Sequence, residues 1–175
     1  MSDGGGAVAL LTDALYGHSA VQRPGGGVDI GVSLLKAGAW PDPQADRGRH
    51  VRRYALAPHP GSWQQAGIPR QAMEPAVPLR VRLGVAPQPR SLLSVDADNV
   101  VAETVKAAWD GDGLVVRLYE SHNRCGTVTL RLDRPIRSAT LANLDEVDGE
   151  TLPVDSSAVT LPVRPYQLLT VRLRF

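Results

Sequence analysis

The chain is 175 residues long and carries 19 Lys and Arg against 18 Asp and Glu, a formal net charge of +1; so even a balance argues against nucleic acid or an anionic membrane as a partner. With 43% hydrophobic and 21% charged residues it is neither disordered nor collagen-like, and its 17 glycines and 14 prolines interrupt it too often for a helix bundle. What remains is one domain of short strands joined by turns, long enough to bury about 70% of its unfolded surface.

In chain order, the predicted elements follow a period of two. Residues 8–12 form the first strand candidate. Gly25, Gly26 and Gly27 then mark a turn before Val28, Ile30, Val32 and Leu34, which alternate with Asp29, Gly31, Ser33 and Leu35 as in a strand with one buried face. Residues 50–56 are the next candidate. From Pro58 to Pro78 the chain reads as a long Pro- and Gly-rich crossing loop with one helical turn around Gln64. Residues 79–85 (LRVRLGV) alternate cleanly. Residues 100–109 (VVAETVKAAW) fit a helical period slightly better than a strand, but the hairpin signal Asp110-Gly111-Asp112-Gly113 that follows favours a strand. Residues 114–120, 127–132, 158–163 and 169–175 complete the set, with Asp148-Gly149 as a second tight-turn candidate. About ten strands at this spacing describe an all-β fold, an antiparallel β-sandwich, treated as one domain over residues 1–175.

Self-sufficient chemistry is hard to find in this sequence. The four histidines, His18, His50, His59 and His122, form no HxH or HExxH pair, so no metal ligand set is predicted. There is no GxSxG elbow, and His18 and Ser19, being adjacent, point apart on an extended chain. The carboxylate pairs Asp42/Asp46, Asp96/Asp98 and Asp110/Asp112 sit in turn-like sequence, where Asp caps its own backbone. Cys125 is the only cysteine, so no internal disulfide forms. Trp40, Trp63 and Trp109 are scattered, which suits core or interface plugs better than a sugar platform. Positive charge is almost all arginine, Lys36 and Lys106 being the only lysines, and its spread along the chain reads as solvated surface. No apolar run approaches the roughly 20 residues of a membrane span, and the opening Met1 to Gly6 does not read as a signal peptide, so a cytoplasmic protein is expected.

Several blocks nevertheless resemble one family in order along the chain. Val8-Ala9-Leu10-Leu11-Thr12-Asp13 followed by Tyr16-Gly17-His18-Ser19 is similar to VALLND..KYGHS in the C-terminal β-domain of glycoside hydrolase family 38 α-mannosidases, of the bacterial and lysosomal-like branch. Residues 34–36 with 41–50 (PDPQADRGRH) resemble SLLR…PDPEADQGRH, residues 54–63 resemble YALYPHAGDW, and Arg164-Pro165-Tyr166-Gln167 resembles the tail RPFEIKTLRL. The most specific block runs from Ser91 to Asp96 through Asn99, Glu103 to Lys106 and Asp110 to Gly113 to Arg117-Leu118-Tyr119-Glu120.

The resemblance implies a sandwich of the galactose-mutarotase-like, supersandwich type, incomplete on its N-terminal side. It implies a parent enzyme that hydrolyses terminal α-mannosides with a zinc ion and a carboxylate nucleophile. Both belong to the family's upstream barrel, so no catalytic residue, metal ligand or cofactor is expected in this chain. Implied partners are the barrel and helical domains, with carbohydrate and self-association through exposed apolar faces as further candidates. A loop of this region approaches the substrate pocket in relatives, which makes Arg47 and Gly48 the first substrate-binding candidates and Tyr16 and His18 the second. Arg47 stands where the quoted branch carries Gln, and Ala14-Leu15 replaces a polar residue and Lys. Rival readings are a stand-alone carbohydrate-binding module, with Trp40 and Trp63 as its platform, and a structural interaction domain.

Overall fold

A computed structural model describes residues 6–77, 79–81, 83–84 and 88–175. Its contacts divide the chain into two compact units, residues 1–81 and 82–175.

In the first unit, strand β1 (Gly6–Thr12) pairs antiparallel with β4 (Tyr54–Pro60) from Gly6 opposite Pro60 to Thr12 opposite Tyr54. Strand β2 (His18–Gln22) pairs with β3 (Val28–Val32), His18 lying opposite Val32. The turn between them needs three consecutive positive φ angles, 96°, 103° and 91°, which Gly25, Gly26 and Gly27 supply without steric cost. Arg23 and Asp29 close its base as an ion pair. The helix in this unit falls later than the sequence suggests. Ser62 and Gln65 exchange hydrogen bonds, Ser62 N donating to Gln65 Oε1 at 3.0 Å and Gln65 N to Ser62 Oγ at 3.3 Å, and this reciprocal cap organises only turns over 62–67. Helix α1 (Ile68–Ala76) starts after Gly67, whose φ of 64° sets the entry, with Pro69 in the first turn where its missing N–H costs nothing. Strand β4 begins at Tyr54 rather than at residue 50, because His50 and Arg52 are engaged in loop hydrogen bonds described below.

The second unit holds the sandwich. It consists of β5 (Leu93–Val95), β6 (Val100–Ala107), β7 (Leu114–Glu120), β8 (Gly126–Leu132), β9 (Ser138–Ala142), β10 (Asp148–Leu152), β11 (Val154–Asp155), β12 (Ala158–Val163) and β13 (Leu168–Arg174). A five-stranded sheet in the order β10-β9-β13-β7-β6 accompanies a four-stranded sheet in the order β11-β12-β8-β5, and every pairing is antiparallel. Alternation puts Val116 and Leu118 of β7, Val128 and Leu130 of β8, Val159 and Leu161 of β12, and Val171 and Leu173 of β13 into one cluster, each at most 1% exposed. Each such side chain contributes about 1.5–3 kcal/mol by leaving water. Residues 100–107 are strand, as the hairpin signal requires, with a bulge between Ala102 and Thr104 that leaves Glu103 without a cross-strand partner. Ala108 and Gly113 close the hairpin over Asp110-Gly111-Asp112, with Ala108 N donating to Gly113 O at 3.0 Å.

The all-β antiparallel sandwich is therefore present, with its two sheets in residues 93–174 rather than across 1–175. Of the alternating stretch 79–85, Leu79, Arg80, Val81, Leu83 and Gly84 belong to no strand, and Leu79, Val81 and Leu83 are fully exposed; Arg82 and Val85, like Pro78 at the end of the predicted loop, lie outside the described residues. Period two says which way side chains point, not whether a neighbouring edge exists to pair with. The second tight turn forms over residues 143–147 instead of at Asp148-Gly149, which belong to β10. Asn143 Oδ1 accepts from Val147 N at 2.9 Å and Glu146 takes the positive φ. None of the three tryptophans is a core plug, as Trp40 and Trp109 are almost fully exposed and Trp63 is partly so. No helix among the described residues is long and apolar enough to cross a membrane.

Candidate functional site

The four candidate residues all lie in the first unit. Thr12 Oγ1 donates to Leu15 O at 3.1 Å, and Leu15 is buried, which anchors the link from β1 to β2. Tyr16 then projects outward, 90% exposed. Gly17 lies so close to Ser33 that an added Cβ would come within 2.8 Å of the Ser33 Cβ, while Ser33 N donates to Gly17 O at 2.8 Å. Two adjoining open clefts share Gly17 and Ser33. One, of about 310 Å³, is lined by His18, Ser19, Gly31 and Val32 as well. The other, of about 500 Å³, is lined by Ala14, Leu15, Tyr16, Leu34, Leu35, Lys36, Asp46 and Arg52 in addition.

The 42–50 loop reaches the larger cleft through Asp46. Asp42 Oδ1 accepts from Gln44 N at 2.8 Å, and Ala45 N and Arg47 N continue the turn by donating to Asp42 O and Gln44 O. Asp46 sits at φ 59°, a left-handed geometry that Asp tolerates better than most residues. His50 Nε2 lies 2.6 Å from the Asp46 carbonyl, which can only accept, so Nε2 carries the proton and donates. That leaves Nδ1 as the acceptor for Arg52 Nη2 at 3.4 Å, and Arg52 Nε donates to Leu34 O at 3.3 Å. Tyr16 and His18 thus line neighbouring clefts, whereas Arg47 and Gly48 are exposed on the same loop and line neither. Lys36, Asp46, His50 and Arg52 are the members that sequence reasoning did not single out. Three of them lie within or beside the quoted family blocks, but nothing local says that His50 turns back onto its own loop.

The second unit carries a different polar centre. Glu120, 2% exposed, faces inward in register with Val116 and Leu118. Its Oε1 accepts from Asn99 Nδ2 and His122 N, both at 2.9 Å, and its Oε2 from Asn123 N and Tyr166 N, both at 2.9 Å. Burial alone pushes this carboxyl upward, but the Tyr166 N–H, the Asn99 amide and the N–H groups of His122 and Arg124 outweigh it and bring the pKa down to about 2. With every donor supplied from within the fold, the group ties three chain crossings together and offers nothing to a substrate. The period-two register of β7 is the sequence signal that could have found it.

On the outer face of the five-stranded sheet, Arg172 Nη2 contacts Asp110 Oδ1 and Oδ2 at 2.6 and 2.5 Å, and Arg174 reaches Asp112 and Asp148 at 2.7 and 2.5 Å. The same face holds the Lys106–Glu146 ion pair, and the Glu146 Oε2 accepts from Trp109 N at 2.7 Å. Among the described residues no three His, Cys, Asp or Glu side chains converge as a metal site requires. The described residues therefore do not form a zinc site.

Comparison with known proteins joins these observations. Residues 99–171, the heart of the sandwich from β6 to β13, match the glycosyl hydrolases family 38 C-terminal beta sandwich domain. Residues 99–171 thus carry that domain. It is similar to "Alpha-mannosidase 2C1" of Homo sapiens, 36% identical over 181 aligned positions that take in 99% of this chain and 17% of that protein. The mouse protein of the same name is 36% identical over 95% of this chain and 16% of its own length. "Alpha-mannosidase G" of Dictyostelium discoideum is 30% identical over 94% of this chain and 16% of its own. The chain thus spans about one sixth of the relatives it matches.

Proposed function

We propose that this chain serves as the C-terminal β-domain of an α-mannosidase and supports the hydrolysis of terminal α-mannosides without itself supplying the nucleophile. The observation that carries this reading is the match to α-mannosidases along almost the whole chain. In this reading the rest of such an enzyme provides the carboxylate nucleophile and holds the zinc, and a cytoplasmic location goes with it. The surface of the first unit supports a packing role. Among the described residues only Leu11 and Leu15 of its large apolar side chains are buried, while Val8, Ile30, Leu34, Tyr54 and Leu56 are about half exposed or more. Leu10, Ile30, Val32, Leu34, Tyr54 and Leu56 line an apolar groove of about 270 Å³. Two-stranded ribbons are marginal on their own, and a contiguous exposed apolar face marks an interface. The barrel and helical domains of the parent enzyme are the proposed cover, with the 42–50 loop, Tyr16 and His18 bordering the sugar site.

The test is a chimaera. The segment of the human relative that matches this chain is replaced by residues 1–175, and aryl α-mannoside hydrolysis is compared with that of the same protein lacking the segment. Retained activity in the chimaera only supports the reading. Turnover by the isolated 175-residue chain, or a chimaera no better than the deletion, overturns it.

A further inference from the structure

The ladder of the first unit decides which of its edges can take another strand. Asp13 N donates to Arg53 O at 3.4 Å, the pair that follows Thr12 and Tyr54 in the β1–β4 register. Backbone groups alternate sides along a strand, so Ala7, Ala9 and Leu11 also turn their N–H and C=O groups toward β4, while Gly6, Val8, Leu10 and Thr12 turn theirs away. On β4 the outward set is Tyr54, Leu56, Pro58 and Pro60, and the two prolines have no N–H to offer, so that edge is closed. The outward edge of β1 (GAVALLT) holds no proline, charge or bulge. No strand pairs with it, and although α1 lies beside β1, no backbone group of the helix bonds to it among the described residues. The remaining edges are blunted. Strand β6 has its bulge at Glu103, β10 has a register shift beside Asp148, and β5 and β11 are three and two residues long. Strand β3 carries Asp29, and β2 is uncharged but has five residues against seven in β1.

We propose that β1 pairs antiparallel with β1 of a second copy of this chain, joining two β1–β4 ribbons into one sheet about a two-fold axis at Ala9. Full overlap of the strand sets Val8 opposite Leu10 of the second copy, Gly6 opposite Thr12, and Ala9 opposite its own equivalent. Every residue with outward backbone groups then meets another such residue, and a slip of one position would break that match. A two-fold axis also sets each charge near its own kind, and β1 brings none. Val8, 49% exposed, gains Leu10 of the second copy as its cross-strand neighbour, and the small Ala9 side chains suit the close approach at the axis. In the single chain water meets these backbone groups one at a time. A second strand meets them together and takes apolar surface out of water as it does so. It also turns ribbons that are marginal alone into a sheet of more than two strands. The pairing does not rest on the α-mannosidase reading.

Sedimentation velocity of the 175-residue chain across a dilution series, with hydrogen exchange at matched concentrations, tests the pairing. A monomer–dimer equilibrium is expected. As the dimer fills, the Val8 and Leu10 amides should slow by about tenfold or more, while the Leu56 amide on the closed edge stays fast. Val8→Pro removes an outward donor only, so the dimer should be lost while the Ala9 and Leu11 amides stay protected by β4. Val8→Lys is the second variant should the proline disturb the ribbon. It keeps the backbone donor, brings two ammonium groups near each other across the axis, and should likewise leave a monomer. A chain that stays monomeric throughout, a dimer whose Val8 and Leu10 amides remain fast, or a dimer that survives both substitutions would each overturn the pairing.

Discussion

Replacing Glu120 by Gln is the sharpest perturbation the structure offers, because it keeps shape and removes only charge. In the native sandwich each carboxylate oxygen accepts two hydrogen bonds at 2.9 Å, three of the four from backbone N–H groups that have been fixed by the turns around them. In Gln one of those oxygens becomes an NH₂, and two buried donors then face a third. Leaving two donors unpaired costs about 2–4 kcal/mol. A second, independent route gives a similar figure. The carboxyl lies at about 2 in the fold against an ordinary 4.5, and a gap of about 2.5 pH units corresponds to about 3 kcal/mol. The sign follows from the direction. A depressed carboxyl stabilises the fold above its unfolded value, so this contribution is complete above about pH 5 and is lost as pH falls through 4.5 toward 2. Hydrogen exchange at the core amides of Val116, Leu130 and Val171, measured from pH 6 to pH 3, reads the opening free energy of the sandwich alone. Native protein should lose about 1–2 kcal/mol over that range through this group, and Glu120→Gln should start lower and run flatter. A variant that tracks the native curve in parallel, displaced by less than about 0.5 kcal/mol, would refute the reasoning.

Other expectations follow from the same geometry. Gly113 lies at φ 100° with a virtual Cβ 2.1 Å from the Leu173 carbonyl oxygen, whereas Gly111 at φ 81° faces open space; Gly113→Ala should cost the sandwich more than about 3 kcal/mol and Gly111→Ala about 1, read from urea midpoints. Arg172→Met removes both contacts to Asp110 and those to the Asp112 carbonyl. The Asp110 carboxyl, held low first of all by its hydrogen bonds from Arg172, should then titrate at higher pH by ¹³C NMR, and the Ala108 and Gly111 amides should exchange faster. Leu130→Ala, at a site with no exposure, should cost about 3–5 kcal/mol, while Leu56→Ala, 64% exposed, should stay within about 1 kcal/mol in the isolated chain.

What the sequence made legible divides along physical lines. Strands β7, β8, β12 and β13 could be read directly because one of their faces is apolar, apart from Glu120 at the end of β7, and meets another such face, so pattern and packing agree. Residues 28–35 show an equally clean pattern, yet Val28 and Ile30 remain about half exposed, since the groove that Ile30 shares with Leu10, Tyr54 and Leu56 stays open. Turns were legible where glycine is obligatory, as at Gly25 to Gly27, and not where a side chain supplies the cap, as Asn143 does. The candidate site shows the same limit. Similarity singled out Arg47, but the residue aimed at the cleft is its neighbour Asp46, because the backbone reversal there is fixed by His50 four residues later.

Charge balance misled for a related reason. Scattered arginines in a chain of net charge +1 read as solvated surface, and a residue at an outward strand position ought to confirm it. Arg172 occupies such a position on β13 and is nevertheless only 5% exposed. The DGDG hairpin folds two aspartates over it, and Arg174 extends the pairing to Asp148. Burying an arginine is tolerable only because carboxylates and a carbonyl meet its donors. The hairpin that looks like a mere turn signal is therefore also the lid of an ion-paired layer on the second face of the sheet. Its near-neutral sum conceals this, since pairing cancels in the total and is visible only in the register that sets Arg172 beside Val115 at the base of that hairpin.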